Sequence, residues 1–151
     1  MQVRPKNIAA AMEAGIGMGI RRVFQNVKYS DFTDGGAADG TLNLTKQLPV
    51  GAFVLGVKVT VKTGFTGNTT AVMSVGNADD ANKYSDNTTV NVLAAGVVGE
   101  SPEDPLEFIA TATTVKLTIT GASDYTLITA GEADVEVFYL STVQEILDIS
   151  M

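Results

Sequence analysis

The stretch "FVLGVKVTVK", residues 53–62, decides the fold class. Phe53, Leu55, Val57, Val59 and Val61 alternate with Val54, Gly56, Lys58, Thr60 and Lys62. Successive side chains of a β-strand point to opposite faces, so a period of two predicts a strand with one apolar face and one lysine-bearing face.

The same pattern recurs along the chain. Val115, Leu117 and Ile119 alternate with Lys116, Thr118 and Thr120, and Val135, Val137 and Tyr139 alternate with Asp134, Glu136 and Phe138. Shorter strand candidates, rich in Val and Thr, are residues 23–29, 41–46, 70–75, 89–93, 106–110 and 125–129. Between them stand Asp34-Gly35-Gly36, Asp39-Gly40, Pro49-Val50-Gly51, Thr66-Gly67-Asn68, Gly121-Ala122-Ser123-Asp124 and Ala130-Gly131-Glu132. Gly, Asn and Asp in such clusters supply positive φ or side-chain-closed turns. About eight or nine short strands spaced by turns predict an all-β chain, a β-sandwich or jelly-roll-like domain of antiparallel sheets with one face buried. No repeat of fixed period argues for a propeller or solenoid.

The β pattern begins near Val23, which divides the chain into an extended N-terminal arm at 1–22, a β-sandwich domain at 23–141 and a C-terminal tail at 142–151. In the tail, Val143, Ile146 and Leu147 stand at i, i+3 and i+4, with Thr142 as a cap and Glu145 three residues on. This pattern predicts a short helix or a last edge strand.

Composition narrows the chemistry. The 151 residues contain no Cys, His or Trp. Disulfides and thiolate sites are excluded, and so are the commonest general base and metal ligand. The net charge of −7 argues against nucleic acid as a partner. Its distribution is uneven. Through Lys28 the cations Arg4, Lys6, Arg21, Arg22 and Lys28 face only Glu13, a balance of +4, which leaves −11 on the remainder. A cationic arm attached to an acidic body can lie on an acidic partner or on a neighbouring copy. A mean hydropathy of +0.19 points to apolar area hidden by self-association or by a large partner.

Gly15, Gly17 and Gly19 invite a phosphate-binding reading. The dinucleotide fingerprint requires a strand before the glycines and a helix after them, within a βαβ unit, and neither the context nor the spacing fits here. A targeting reading also fails. Glu13 interrupts the apolar stretch 8–20, Arg21 and Arg22 follow it directly, and no run approaches the ~18 apolar residues of a membrane span. The expectation is a soluble chain that keeps its N-terminus. Asp79, Asp80 and Asp86, interleaved with Asn77, Asn82 and Asn87, carry oxygen ligands suited to Ca²⁺ but lack the loop spacing, and so read as turn-formers; "DFTDGGAADG", residues 31–40, reads the same way. Glu100, Glu103, Asp104 and Glu107 could form a hydrolytic carboxylate pair. Pro102 and Pro105 make that segment an extended acidic loop instead. Asn43, Asn68 and Asn87 begin glycosylation sequons of the kind Thr-rich strands produce by chance. No catalytic, cofactor or metal residue is assigned.

The stretch "VKYSDFTDGGAADGTLNLTKQLPVGAFVLGVKVTVKTGFTGNTTAVMSVGNADD", closed by "AGEADVEVFYLS", resembles structural proteins of tailed bacteriophages over about residues 27–141. In its most specific form the resemblance is to capsid decoration, or cement, proteins. It implies a non-enzymatic virion protein, made in the host cytoplasm, which sits as a homotrimer on the outer capsid surface, binds the major capsid protein and stabilises the shell. Nucleic acid, membrane and cofactors are not expected. The arm is then a docking element: Arg4, Lys6, Arg21 and Arg22 meet carboxylates, Ile8 and Met12 fill grooves, and Gly15, Gly17 and Gly19 let the backbone approach closely. The alternative is a phage head-fibre, tail or receptor-binding module that binds host-surface glycans.

Overall fold

Alternation along the strands is resolved by two sheets that bury their apolar faces against each other. The computed structural model describes residues 19–85 and 90–140. These form nine strands: β1 Ile20–Lys28, β2 Thr33–Asp34, β3 Asp39–Asn43, β4 Phe53–Thr63, β5 Ala71–Gly76, β6 Val90–Asn91, β7 Gly96–Glu100, β8 Lys116–Gly121 and β9 Glu132–Leu140. One sheet has the order β1-β9-β4-β7 and the other β2-β3-β8-β5-β6. Every pairing is antiparallel. The result is a β-sandwich, as the alternation predicts.

The core is built from the expected valines. Val135, Val137 and Tyr139 of β9 and Val115, Leu117 and Ile119 in and before β8 are fully buried. Val137 lies between Val23 and Val57, while Leu117 and Ile119 face Val75 and Met73. Burying a Val or Leu side chain contributes roughly 1.5–3 kcal/mol. The turn chemistry holds at Gly51 but not at Asp39-Gly40, which lies inside β3 because Gly40 is paired on both sides, with Asp34 and with Ile119. Gly51 has φ 82°, and the Ala52 N–H closes the turn onto the Pro49 carbonyl.

Three readings of the strands need correction. In β4 the apolar face was expected to include Phe53 and Leu55, yet Val54 is buried and Leu55 is exposed. Opposite β9, Val54 pairs with Tyr139 and Gly56 with Phe138, so Leu55 is an extra residue in a β-bulge. One inserted residue reverses inside and outside, which is why the period holds only from Val57 onward. Residues 106–110 form no strand; Phe108 makes a single bridge to Phe53 beside the prolines. Residues 125–129 contain a 3₁₀ turn, Tyr125–Leu127, because the Asp124 side chain accepts hydrogen bonds from the Thr126 N–H and hydroxyl and closes the backbone locally. Conversely β7, with glycines at 96 and 99, is a strand by virtue of its partner β4.

Candidate docking surface

The elements place few of the proposed arm residues. Arg4, Lys6, Ile8, Met12, Gly15 and Gly17 lie outside the described residues, as do the tail 142–151 and Asp86. Gly19 is exposed and immediately precedes β1. Arg21 and Arg22 stand inside β1, opposite Tyr139 and Phe138 of β9.

Arg22 is engaged within the chain. Its guanidinium pairs with Glu136 and lies 4.8 Å from the centre of the Phe24 ring. Glu136 also has Lys58 at 3.7 Å on its other side. The next outward residue of β9, Asp134, accepts from Asn26 Nδ2 at 2.8 Å and pairs with Lys62 at 3.1 Å. The Asn26 hydrogen bond, with Lys62 adding to it, holds the Asp134 carboxyl below its ordinary range. The outer face of the four-stranded sheet thus carries a column of carboxylates on its central strand, flanked by cations and an amide. Adjacent strands place opposite charges within reach of each other.

Toward the other end of β9 the same face turns apolar. Ile20, Leu140 and Phe53 form one row across β1, β9 and β4, and Phe138 stands in the next. Ile20 is 67% exposed and Leu55 45%. Phe108, also exposed, lies 6.2 Å ring to ring from Phe53. Leu55 and Phe138 flank a shallow depression of about 360 Å³ floored by Gly56 and Gly99. The sequence reading missed this corner. Its signal was present: the outward positions of β9 run Glu136, Phe138, Leu140.

The acidic loop forms a staple. Lys83 Nζ lies 3.0 Å from Asp104 and 2.7 Å from Glu107, and these partners raise the Lys83 pKa. Glu103 shares a hydrogen bond with Asp80, which pushes its carboxyl up. Asn77 accepts from the N–H groups of Asp79 and Asp80, so this turn is closed by its own side chain. A cleft of about 280 Å³ lies beside it, bordered by Lys83, Tyr84, Glu107 and Phe108. Among the described residues, no group of three or more Asp or Glu side chains converges as metal ligands.

No protein-family model and no curated protein matches the chain. Among solved structures, the fold is similar to a chain in the capsid asymmetric unit of cyanophage Pam1, with 22% identity, TM-score 0.55, and coverage of 82% of this chain and 86% of that one. It is also similar to a chain in the capsid of Ralstonia phage GP4, at 15% identity and TM-score 0.56, covering 82% of this chain and 85% of the other. At these identities the shared property is the fold: this chain has a β-sandwich of the kind found in two phage capsids.

Proposed function

We propose that this chain is a non-enzymatic virion protein that binds the outside of a phage capsid as a trimer and stabilises the shell. The observation that carries the reading is the sandwich shared, over four-fifths of the chain, with chains from two phage capsids. A chain without His or Cys fits a role in binding better than one in turnover. The cationic arm supports a partner with an acidic surface, and the major capsid protein is that partner. Three arms on one trimer would act together, so modest contacts add to a durable attachment. A protein that binds the assembled shell and not its dissociated subunits stabilises the shell by mass action.

The test is reconstitution. Purified protein is added to expanded shells that lack it, and the particles are imaged and heated. Density on the outer surface at local three-fold positions, with genome release moved to higher temperature, is the expected result. Shells that stay bare, or equal heat resistance with and without the protein, would overturn the reading. A requirement in host adsorption would favour the receptor-binding alternative. Deletion of residues 1–18 tests the arm, because it leaves all of β1 in place. The truncated protein should remain folded and lose most of its occupancy on shells.

A further inference from the structure

The edge strands of the four-stranded sheet, β1 and β7, each have one side without a neighbouring strand among the described residues. Such an edge turns N–H and C=O groups outward and is a template for pairing with another chain. Two hydrogen bonds fix which groups of β1 do so. The Arg22 carbonyl accepts from Lys46 Nζ at 3.3 Å, and the Lys28 N–H donates to Asp31 at 2.8 Å. Backbone groups alternate sides along an antiparallel strand, so Phe24 and Asn26, between these two, also face away from β9. Carried through the pairs Phe24–Glu136, Glu136–Lys58 and Lys58–Gly99, the same alternation turns the backbone of Val97 and Gly99 to the free side of β7. β7 itself, Gly96–Glu100, has neither Lys nor Pro and pairs with β4 without a bulge. A Cβ at Gly96 would meet nothing within 4 Å, and one at Gly99 only the Val57 carbonyl at 3.8 Å. The chain's own packing therefore demands neither glycine, and both leave room beside β7 for another backbone.

Direction and charge select a second copy of this chain as the occupant, joined unlike edge to unlike edge. In four strands paired antiparallel throughout, β1 and β7 run in opposite directions. β7 of one copy thus meets β1 of a second copy, held in the same orientation, as an antiparallel pair. β1 carries Arg21, Arg22 and Lys28, with Lys46 beside it, whereas the ionisable residue of β7 is Glu100. Pairing β1 with β1 would set cations against cations. Arg22 and Lys58 are already taken by Glu136 of their own chain, and Lys62 by Asp134. Arg21 and Glu100 have no ion-pair partner among the described residues.

We infer that β1 of one copy pairs with β7 of the next, Phe24 opposite Val97, so that the four-stranded sheets join head to tail. This register sets Arg21 opposite Glu100 and Val23 opposite Val98. It brings the exposed side chains of Phe24 and Val97 together on the outer face. Gly99 falls opposite Arg22, whose carbonyl keeps a second lone pair for it. A contact between unlike edges closes into a ring or continues as a filament. The trimer proposed above is the ring of three, and the inference rests on that reading for the number alone.

The test uses free protein without shells, so failure of edge pairing and failure of shell binding are read separately. The chain has no cysteine. Full-length Phe24→Cys and Val97→Cys are purified separately, mixed and mildly oxidised, and intact mass distinguishes the mixed dimer from the two like dimers. An antiparallel pair holds Cα atoms about 5.5 Å apart, within reach of a disulfide. The mixed dimer should exceed the random-collision ratio several-fold, and neither variant alone should cross-link efficiently. In the otherwise native chain, light scattering should show an oligomer at micromolar concentration. Arg21→Glu alone and Glu100→Arg alone should each weaken it several-fold, and the two together should restore it, which a loss of folding would not allow. A mixed dimer at the collision ratio, an excess of like dimers, a monomeric parent, or no restoration by the double variant would overturn the inference.

Discussion

Arg22 and Glu136 tie the edge strand β1 to the central strand of its sheet. Glu136 is almost fully covered, and Lys58 approaches it from the opposite side. Arg22 therefore has a role within the fold, whatever it does for a partner. A double-mutant cycle with Arg22→Ala and Glu136→Gln should give a coupling of about 0.5–1 kcal/mol in urea denaturation, small because Arg22 is half exposed. Arg22→Glu would set two carboxylates side by side and should lower the melting temperature. Attachment to shells by that variant has to be read beside its stability.

The bulge at Leu55 makes neighbouring residues behave oppositely. Val54→Ser removes apolar volume from a packed interior and buries a hydroxyl, for a cost of about 2–4 kcal/mol. Leu55→Ser should cost under about 1 kcal/mol, since that side chain projects from the sheet. Equal losses at the two positions in chemical denaturation would contradict the register at β4.

Gly40 is required by the ring that lies on it. A Cβ there would stand 2.5 Å from the Tyr125 ring, whose hydroxyl donates to the Tyr29 carbonyl at 2.8 Å. Gly40→Ala should destabilise by about 1–3 kcal/mol through overpacking. Tyr125→Phe, which loses one hydrogen bond, should cost about 1 kcal/mol. In the double variant the Gly40→Ala cost should persist, because the clash is with the ring and not with the hydroxyl.

Strands whose alternation is set by their own side chains were readable: Val115, Leu117 and Ile119 face inward as their spacing requires, and so do Val135, Val137 and Tyr139. Elements set by a partner were not. β7 is Gly96-Val97-Val98-Gly99-Glu100, a poor strand by propensity that forms because β4 offers a free edge. The bulge at Leu55 was hidden because Phe, Val and Leu in succession suit either face. The cationic start of the chain was legible as charge, but Arg22's tie to Glu136 spans 114 positions in sequence and appears only once β1 and β9 are paired. The apolar corner was legible only in part: Phe138 and Leu140 follow Glu136 on the outward positions of β9, but their meeting with Ile20, Phe53 and Leu55 depends on strand pairing.

Stability at alkaline pH should fall with a slope to which Tyr125 contributes, beside Lys83, whose pairing with Glu107 and Asp104 raises its pKa and acts with the same sign. Burial, reinforced by the charges of Asp31 and Asp34, pushes the Tyr125 hydroxyl up to about 12. Burial raises Tyr84 as well. In the unfolded chain a tyrosine ionises near about 10. Below that pH both states hold the proton and the stabilisation is complete. Between about 10 and 12 the unfolded chain gives up its proton while the folded one keeps it, so stability declines as pH rises. Urea midpoints measured across this window should fall steadily, and tyrosinate absorbance should lag behind that of the unfolded chain. Tyr125→Phe should start less stable and show a shallower decline. The acid side should be gentler. Asp104, held down by Lys83, and Asp134, held down by Asn26, lose their contribution as pH falls through their lowered values. Glu103, raised by Asp80, acts with the opposite sign. These carboxylates are solvated, so their effects are small and partly cancel. A Tyr125→Phe profile as steep as the parent's above pH of about 10 would assign the alkaline loss to other groups.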